Sequence, residues 1–394
     1  MLLGPFPGGT PPAGPVPGPP HPARPTGTPA FMSLSCGIVG LPNVGKSPLF
    51  NAITAAGAEA GNFPFCTIDP NVAVAEVPDH NLAILRAHIE SQKIIPASVK
   101  VVDIAGLIEG ASKGEGLGNK FLANIRETDA IMQVVRCFEN ENVVRDSPVD
   151  PKRDIEVIEL ELALADLETL GKAIDRVSKK ARAGDKDAIF EKELFERAAK
   201  LLEEGQLLRA IDWKEREREA LRPLCLMSTK RMLYVANVAD DDLEGTSAHA
   251  RAVAERAEAT GSAWLPICTD IESELRTMEP EERAAFMADL GIEKLGLDRL
   301  IRSVYDLLGL QTYYTAGPKE IRAWTIHVGW TGPKAAGVIH SDFEKGYIRA
   351  EVYSVADLVK HKTEAAIKAA GKMRTEGRDY VLRPEDVCHF LIGK

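Results

Sequence analysis

Leu34-Ser-Cys-Gly-Ile-Val-Gly-Leu-Pro-Asn-Val-Gly-Lys-Ser-Pro-Leu-Phe-Asn51 is the stretch that decides how this chain folds. A short apolar run enters Gly40-x-x-x-x-Gly45-Lys46-Ser47, and a helical pattern follows. Strand, glycine-bounded loop and helix, in that order, are the context a phosphate-binding loop requires. The glycines let successive amide N–H groups turn inward, and the helix adds its positive end. Lys46 is placed to reach the β- and γ-phosphates, and the Ser47 hydroxyl to ligate Mg²⁺. Asn43, Val44, Gly45, Lys46, Ser47 and Pro48 are therefore candidate nucleotide-binding residues.

The chain around that loop is long enough for more than one domain: 394 residues, with 45% hydrophobic and 27% charged side chains. No apolar run reaches the roughly 20 residues of a membrane span, so no membrane partner is expected. A formal charge of −10 argues against a surface that binds nucleic acid everywhere, while leaving room for a local basic patch. Six cysteines lie far apart without a Cys-x-x-Cys pair, the pattern of reduced thiols in a cytoplasmic protein. Residues 1–31 are rich in Pro and Gly; such a segment buries too little to fold and reads as a tail.

Further along, Ser98-Val-Lys-Val-Val-Asp-Ile-Ala-Gly106 reads as a β-branched strand ending in Asp-x-x-Gly. A carboxylate there, Asp103, can hold Mg²⁺ through water, and the Gly106 amide can meet the γ-phosphate. Between the two motifs, the turn-rich Asn62-Phe-Pro-Phe-Cys-Thr67 offers the Thr67 hydroxyl as a second metal ligand. Leu107 stands where many GTPases carry a water-orienting glutamine, so intrinsic hydrolysis should be slow. Glu109-Gly-Ala-Ser-Lys-Gly-Glu-Gly-Leu-Gly118 is glycine-rich and a candidate switch. Base recognition falls to Asn237, Val238 and Asp240 at the end of the apolar run from Arg231, with Ala263-Trp-Leu-Pro-Ile-Cys-Thr-Asp270 supplying a last loop. Lys46, Asp103 and Gly106 are the candidate catalytic residues.

At this point the chain resembles the Obg-like ATPases of the YchF type. The resemblance rests on Gly40–Ser47, Asn62–Pro70, Asp103–Asn119, Ile125–Asp129 and Val135–Asn140, and near the end on Ala336–Gly346 and Ile348–Val352. It implies a translation-factor-type NTPase that favours ATP, while Asp240 in this chain leaves GTP open as a second substrate. It also implies Mg²⁺ as cofactor, a helical insert, a TGS domain and the ribosome, in particular its large subunit, as partner. Asn43 matches the asparagine with which potassium-stimulated relatives ligate K⁺. Four departures stand out. Pro48 replaces a Thr whose amide and hydroxyl face the α-phosphate. Asp240 replaces the usual Glu and restores half of the guanine signature. Arg145 takes the place of a His implicated in hydrolysis, and the chain closes His389-Phe-Leu-Ile-Gly-Lys394.

Residues 154–222 change character to charged helix. Leu160, Ala163, Leu167, Leu170, Ile174, Val177 and Ala181 follow three-four spacing, as do Leu194, Ala198, Leu201 and Leu208 after a Gly184-Asp185 break. Two antiparallel helices packed as a hairpin would bury both seams. After Tyr313, short strands, a helix near 355–371 and a last strand near 386–391 suit a small β-grasp domain. Lys360, Lys362, Lys368, Lys372, Arg374 and Arg378 form a basic cluster that reads as an RNA footprint. The expected fold class is α/β: a P-loop domain with a mostly parallel sheet (32–153 and 223–312), an inserted coiled-coil hairpin (154–222) and a TGS domain (313–394). Contact with rRNA or tRNA is expected through the TGS domain and the insert.

Overall fold

The computed structural model describes residues 34–59, 71–104, 117–139 and 148–393. The first strand, β1 (Ser35–Val39), is buried throughout and feeds helix α1 (Lys46–Glu59) through the glycine-bounded loop. The chain continues through β2 (Val72–Glu76), α2 (His80–His88), β3 (Ile94–Ile95), β4 (Ser98–Asp103), α3 (Leu117–Glu127) and β5 (Ala130–Arg136). Two helices, α4 (Pro151–Arg182) and α5 (Lys186–Glu203), and the short α6 (Glu215–Leu221) precede β6 (Arg231–Asn237). The domain closes with α7 (Ala248–Ala259), β7 (Ala263–Ile267), α8 (Thr269–Thr277), α9 (Pro280–Asp289) and α10 (Gly296–Leu307). No described helix is long and apolar enough to cross a membrane.

The first sheet runs β2-β4-β1-β5-β6-β7, parallel except for the antiparallel edge strand β2. Side chains alternate along its central strands, as the two-residue period of a strand demands. Met132 and Val134 of β5 join a core with Leu49 and Ile53 of α1 and Leu300 of α10. Ile131 and Val135 face the other way, onto Ile125, Ile155 and Val253. Burial on both faces explains why these strands are apolar without interruption. From β1 the chain builds outward to β4 on one side and to β5 on the other, so a crevice opens at the carboxyl ends of these strands.

The insert is a helical hairpin, its turn marked by Gly184 at φ 86° and its second helix capped by Asp185, which accepts from the Ala188 amide at 2.9 Å. One expected seam residue falls outside: Leu160 is 58% exposed. The first turns of α4 pack on the nucleotide-domain side, where Ile155, Ile158, Leu162 and Ala165 are buried, and only later turns face α5. The buried face therefore rotates around the helix between one partner and the next.

The second sheet has the order β11-β10-β12-β8-β9-β3, with β8 (Leu310–Ala316), β9 (Ile321–His327), β10 (Tyr347–Ser354), β11 (Arg374–Glu376) and β12 (Asp386–Ile392). Helices α11 (Gly332–Ile339) and α12 (Ser341–Gly346) lie between β9 and β10. The single helix expected near 355–371 is two, α13 (Val355–His361) and α14 (Glu364–Ala369), because Lys362 sits at φ 68° and Thr363 caps a new start. β8 spans the boundary expected at 313, and β3, from the first domain, forms an edge of this second sheet by pairing with β9.

Candidate functional site

The phosphate loop sits at the carboxyl end of β1. Gly45 adopts φ 97°, a conformation that L side chains rarely reach, and a Cβ there would collide with Asn237 Nδ2. Asn43 also takes a positive φ, 62°, and is exposed, whereas Val44 is buried and anchors the loop in the core. Ser47 is exposed at the start of α1. A proline disfavours helical angles in the residue before it, yet Ser47 stays within α1 ahead of Pro48. The proline occupies the first turn, where amides lack intrahelical acceptors anyway, and Leu49 N–H donates to the Gly45 carbonyl at 3.1 Å.

Lys46 folds over the loop and donates to the carbonyls of Gly40 at 2.8 Å and Leu41 at 2.7 Å. Burial lowers its pKa to about 8, a shift that the nearby Asp103 carboxylate opposes. Asp103, half-buried at the end of β4, is raised by burial and held back by Lys46. A hydroxyl at Ser47 and a carboxylate at Asp103 beside a cationic loop are hard oxygen donors, a set that fits Mg²⁺.

The base side is latched to the phosphate side. Asn237 Nδ2 donates to the Val44 carbonyl at 3.0 Å, while its Oδ1 accepts from the Thr269 amide at 3.2 Å. One buried side chain thus joins the ends of β6 and β7 to the loop after β1. Thr269 lies in the segment expected to supply the last base-side loop. Val238 was expected beside a purine; its side chain instead is 2% exposed and packs in the core, with its amide donating to the Ile267 carbonyl at 3.0 Å. Asp240 is exposed and lines, with Cys268, Ile271 and Glu272, a cleft of about 780 Å³. Thr67, Gly106, Leu107 and Arg145 lie outside the described residues, as does nearly all of the candidate switch.

Away from the crevice, the basic cluster divides. Lys360, Lys362, Lys368, Lys372 and Arg378 are exposed, but Arg374 is paired with Glu376 at 3.0 Å and Asp386 at 2.9 Å and stacks over Tyr380. It braces β11 against β12 rather than offering its charge outward. Among the described residues no group of three or more His, Cys, Asp or Glu side chains is arranged to hold a metal ion. Of the five described cysteines four are buried and Cys225 is exposed.

Comparison with known proteins bears on both sheets. A family model described as a 50S ribosome-binding GTPase matches residues 35–170, and the model of the carboxy-terminal domain of YchF GTPases, described as a protein of unknown function, matches 310–393. The ribosome-binding ATPase YchF of Escherichia coli O157:H7 is 53% identical over 363 residues, covering 92% of this chain and 100% of that one. Its Bacillus subtilis counterpart is 49% identical, covering 91% and 99%. The structure of the Schizosaccharomyces pombe YchF GTPase superposes with a TM-score of 0.83 at 37% identity, covering 91% of this chain and 98% of that one.

Proposed function

Because the chain belongs to the YchF family, we propose that it is an Mg²⁺-dependent nucleoside-triphosphate hydrolase that favours ATP, turns over slowly unaided and binds the ribosome according to its nucleotide state. The observation that carries this reading is the phosphate loop, with Lys46 held at its centre beside Asp103. A triphosphate entering the loop would displace the Gly40 and Leu41 carbonyls as partners of Lys46. Its charge would be held by the loop amides, the ammonium and the start of α1. Ser47 and Thr67, with Asp103 nearby, would hold Mg²⁺, which when bound would supply positive charge against the γ-phosphate that water attacks in line. Asn43 is our candidate for a K⁺ ligand, and the Gly106 amide for the γ-phosphate contact. Pro48 has no amide hydrogen for the α-phosphate, so affinity below that of a Thr-bearing relative is part of the proposal.

One residue favours a second reading. Asp240 offers an exposed carboxylate where guanine-specific proteins accept from the base, which suits GTP. Displacement of one labelled nucleotide by ATP and by GTP decides between them: ATP competing at least about tenfold better supports the first reading, and the reverse order supports the second. For the partner, we propose the large ribosomal subunit, reached through the exposed lysines of α13 and α14, with rRNA or tRNA contact there and along the helical hairpin, and hence a place in the cytoplasm. Sedimentation with isolated subunits across a salt series tests it. Binding to the large subunit that weakens steeply with salt supports phosphate contacts, and salt-independent binding contradicts them. A nucleotide-gated binder without turnover is the remaining alternative, and single-turnover assays with and without ribosomes and K⁺ test it; no acceleration over buffer would favour it.

A further inference from the structure

The segment from Asn71 to Ile104 has one end at the nucleotide crevice and its middle on the other domain. β2 and β4 pair without interruption from Val72↔Val102 to Glu76↔Ser98, and Asp103 N–H donates to the Asn71 carbonyl at 2.8 Å. Val77 N–H to the Ala97 carbonyl, 2.8 Å, closes the far end of this ladder. Five paired residues make a beam about 17 Å long, stiffened by its own hydrogen bonds.

Beyond the beam, residues 77–97 are fastened to the carboxy-terminal sheet. Tyr314 of β8 donates its hydroxyl to Asp79, at 2.8 Å and 3.0 Å from the two carboxylate oxygens, and Asn81 Nδ2 donates to the tyrosine oxygen at 3.2 Å. The same Asp79 caps α2, accepting from the Asn81 amide at 2.9 Å. Ile321 N–H donates to the Lys93 carbonyl at 2.9 Å and Gln92 N–H to the Pro318 carbonyl at 3.1 Å, while Ile94 and Ile95 lie in register with Ile321 and Arg322. Tyr314 is 2% exposed, so its bond to a carboxylate has little water to compete with it. One apolar core, holding Ala73, Val101, Tyr314, Ile321 and Leu358, runs through the joint.

We propose that Tyr314 is a positioning residue for the nucleotide site: gripping Asp79, it lets the carboxy-terminal sheet set the β2–β4 beam and with it the strand end that carries Asp103. This rests on the proposed reading of the phosphate loop as a triphosphate site. Asp103 serves the metal, so the grip acts on the affinity gained from Mg²⁺ and not on phosphate binding by the loop. Linkage makes the effect mutual: a partner that loads the carboxy-terminal domain changes Mg²⁺–triphosphate affinity by the factor with which the nucleotide changes that partner's grip.

The test uses the full chain and its Tyr314→Phe variant, which keeps the ring and removes the hydroxyl. Affinity for a fluorescent ATP analogue is measured with Mg²⁺ and with EDTA. We expect the variant to lose about three- to tenfold of the Mg²⁺-dependent gain, the net scale of one ordinary hydrogen bond because only part of the grip reaches Asp103, and to match the wild type in EDTA. Equal losses in both conditions, or none in either, overturn the proposal. Hydrogen exchange on the wild type is the second readout and needs no variant to fold. Adding Mg²⁺ and analogue should slow the amides of Gln92 and Ile321, and unchanged exchange there counts against the coupling. A wild type that binds no analogue in either condition sinks the reading of the loop itself, an outcome distinct from a normal wild type with an unaltered variant.

Discussion

A single lysine carries much of the account at the scale of residues. Lys46, with its pKa lowered to about 8, is partly neutral near pH 8 in the empty loop. A bound triphosphate favours the charged form, so binding should take up a proton there. Affinity should hold below about pH 8 and fall as pH rises through it. Calorimetry in buffers of different ionisation enthalpy checks the proton uptake. Gly45→Ala meets both a forbidden φ and the Asn237 side chain, and we expect it to lose nucleotide affinity by more than about tenfold. Pro48→Thr tests a different point. The helix already accommodates the proline, so the substitution should tighten binding about tenfold by restoring an amide and a hydroxyl while leaving the thermal midpoint nearly unchanged. The loop was legible in the sequence because glycine spacing, lysine and flanking strand are local signals. The inward turn of Val238 was not, since an apolar residue after a strand reads the same whether it faces a base or the core.

At the scale of elements, the hairpin was legible from its spacing, and its root was not. Three-four periodicity gives the faces of α4 but not the partner each face meets, which is why Leu160 was assigned to a seam and lies exposed. Beside its apolar seat on the nucleotide domain, the root carries a polar anchor. Glu159 of α4 accepts from Arg209 at 2.5 Å and from Tyr234 at 2.5 Å, and it pairs with Arg256. Removing the carboxylate takes the ionic partner from the buried Arg209, which keeps only Tyr234 and Ser262, and from the part-exposed Arg256, so Glu159→Ala should cost about 3 kcal/mol in urea unfolding; a loss below about 1 kcal/mol would mean the network is incidental. In the second domain, His389 on β12 bonds Glu364 on α14 at 3.0 Å, and that bond raises the histidine's pKa while lowering the carboxylate's. The histidine's contribution is full below its ordinary value near 6.5 and is lost as pH rises through its raised value. The carboxylate's is lost as pH falls through its lowered one. His389→Gln should therefore lower the thermal midpoint more at about pH 6 than at about pH 8.5.

At the scale of the whole molecule, the parallel sheet and its crevice followed from apolar runs separated by helical patterns, but the joint between the two sheets did not. β3 is two residues long, bounded by Lys93 and Pro96, too short to show any period. Asp79 and Tyr314 are 235 positions apart, and nothing local to either names the other. The same distance in sequence is what lets the joint connect a nucleotide site to a second domain. All of this presupposes a loop that takes a triphosphate. Titration calorimetry of the full chain with Mg²⁺–ATP, repeated on Lys46→Ala and with GTP as competitor, tests that most directly. A single saturable site in the wild type, weakened at least about tenfold by the substitution, is the expected result. Neither nucleotide binding, or binding indifferent to Lys46, would contradict it.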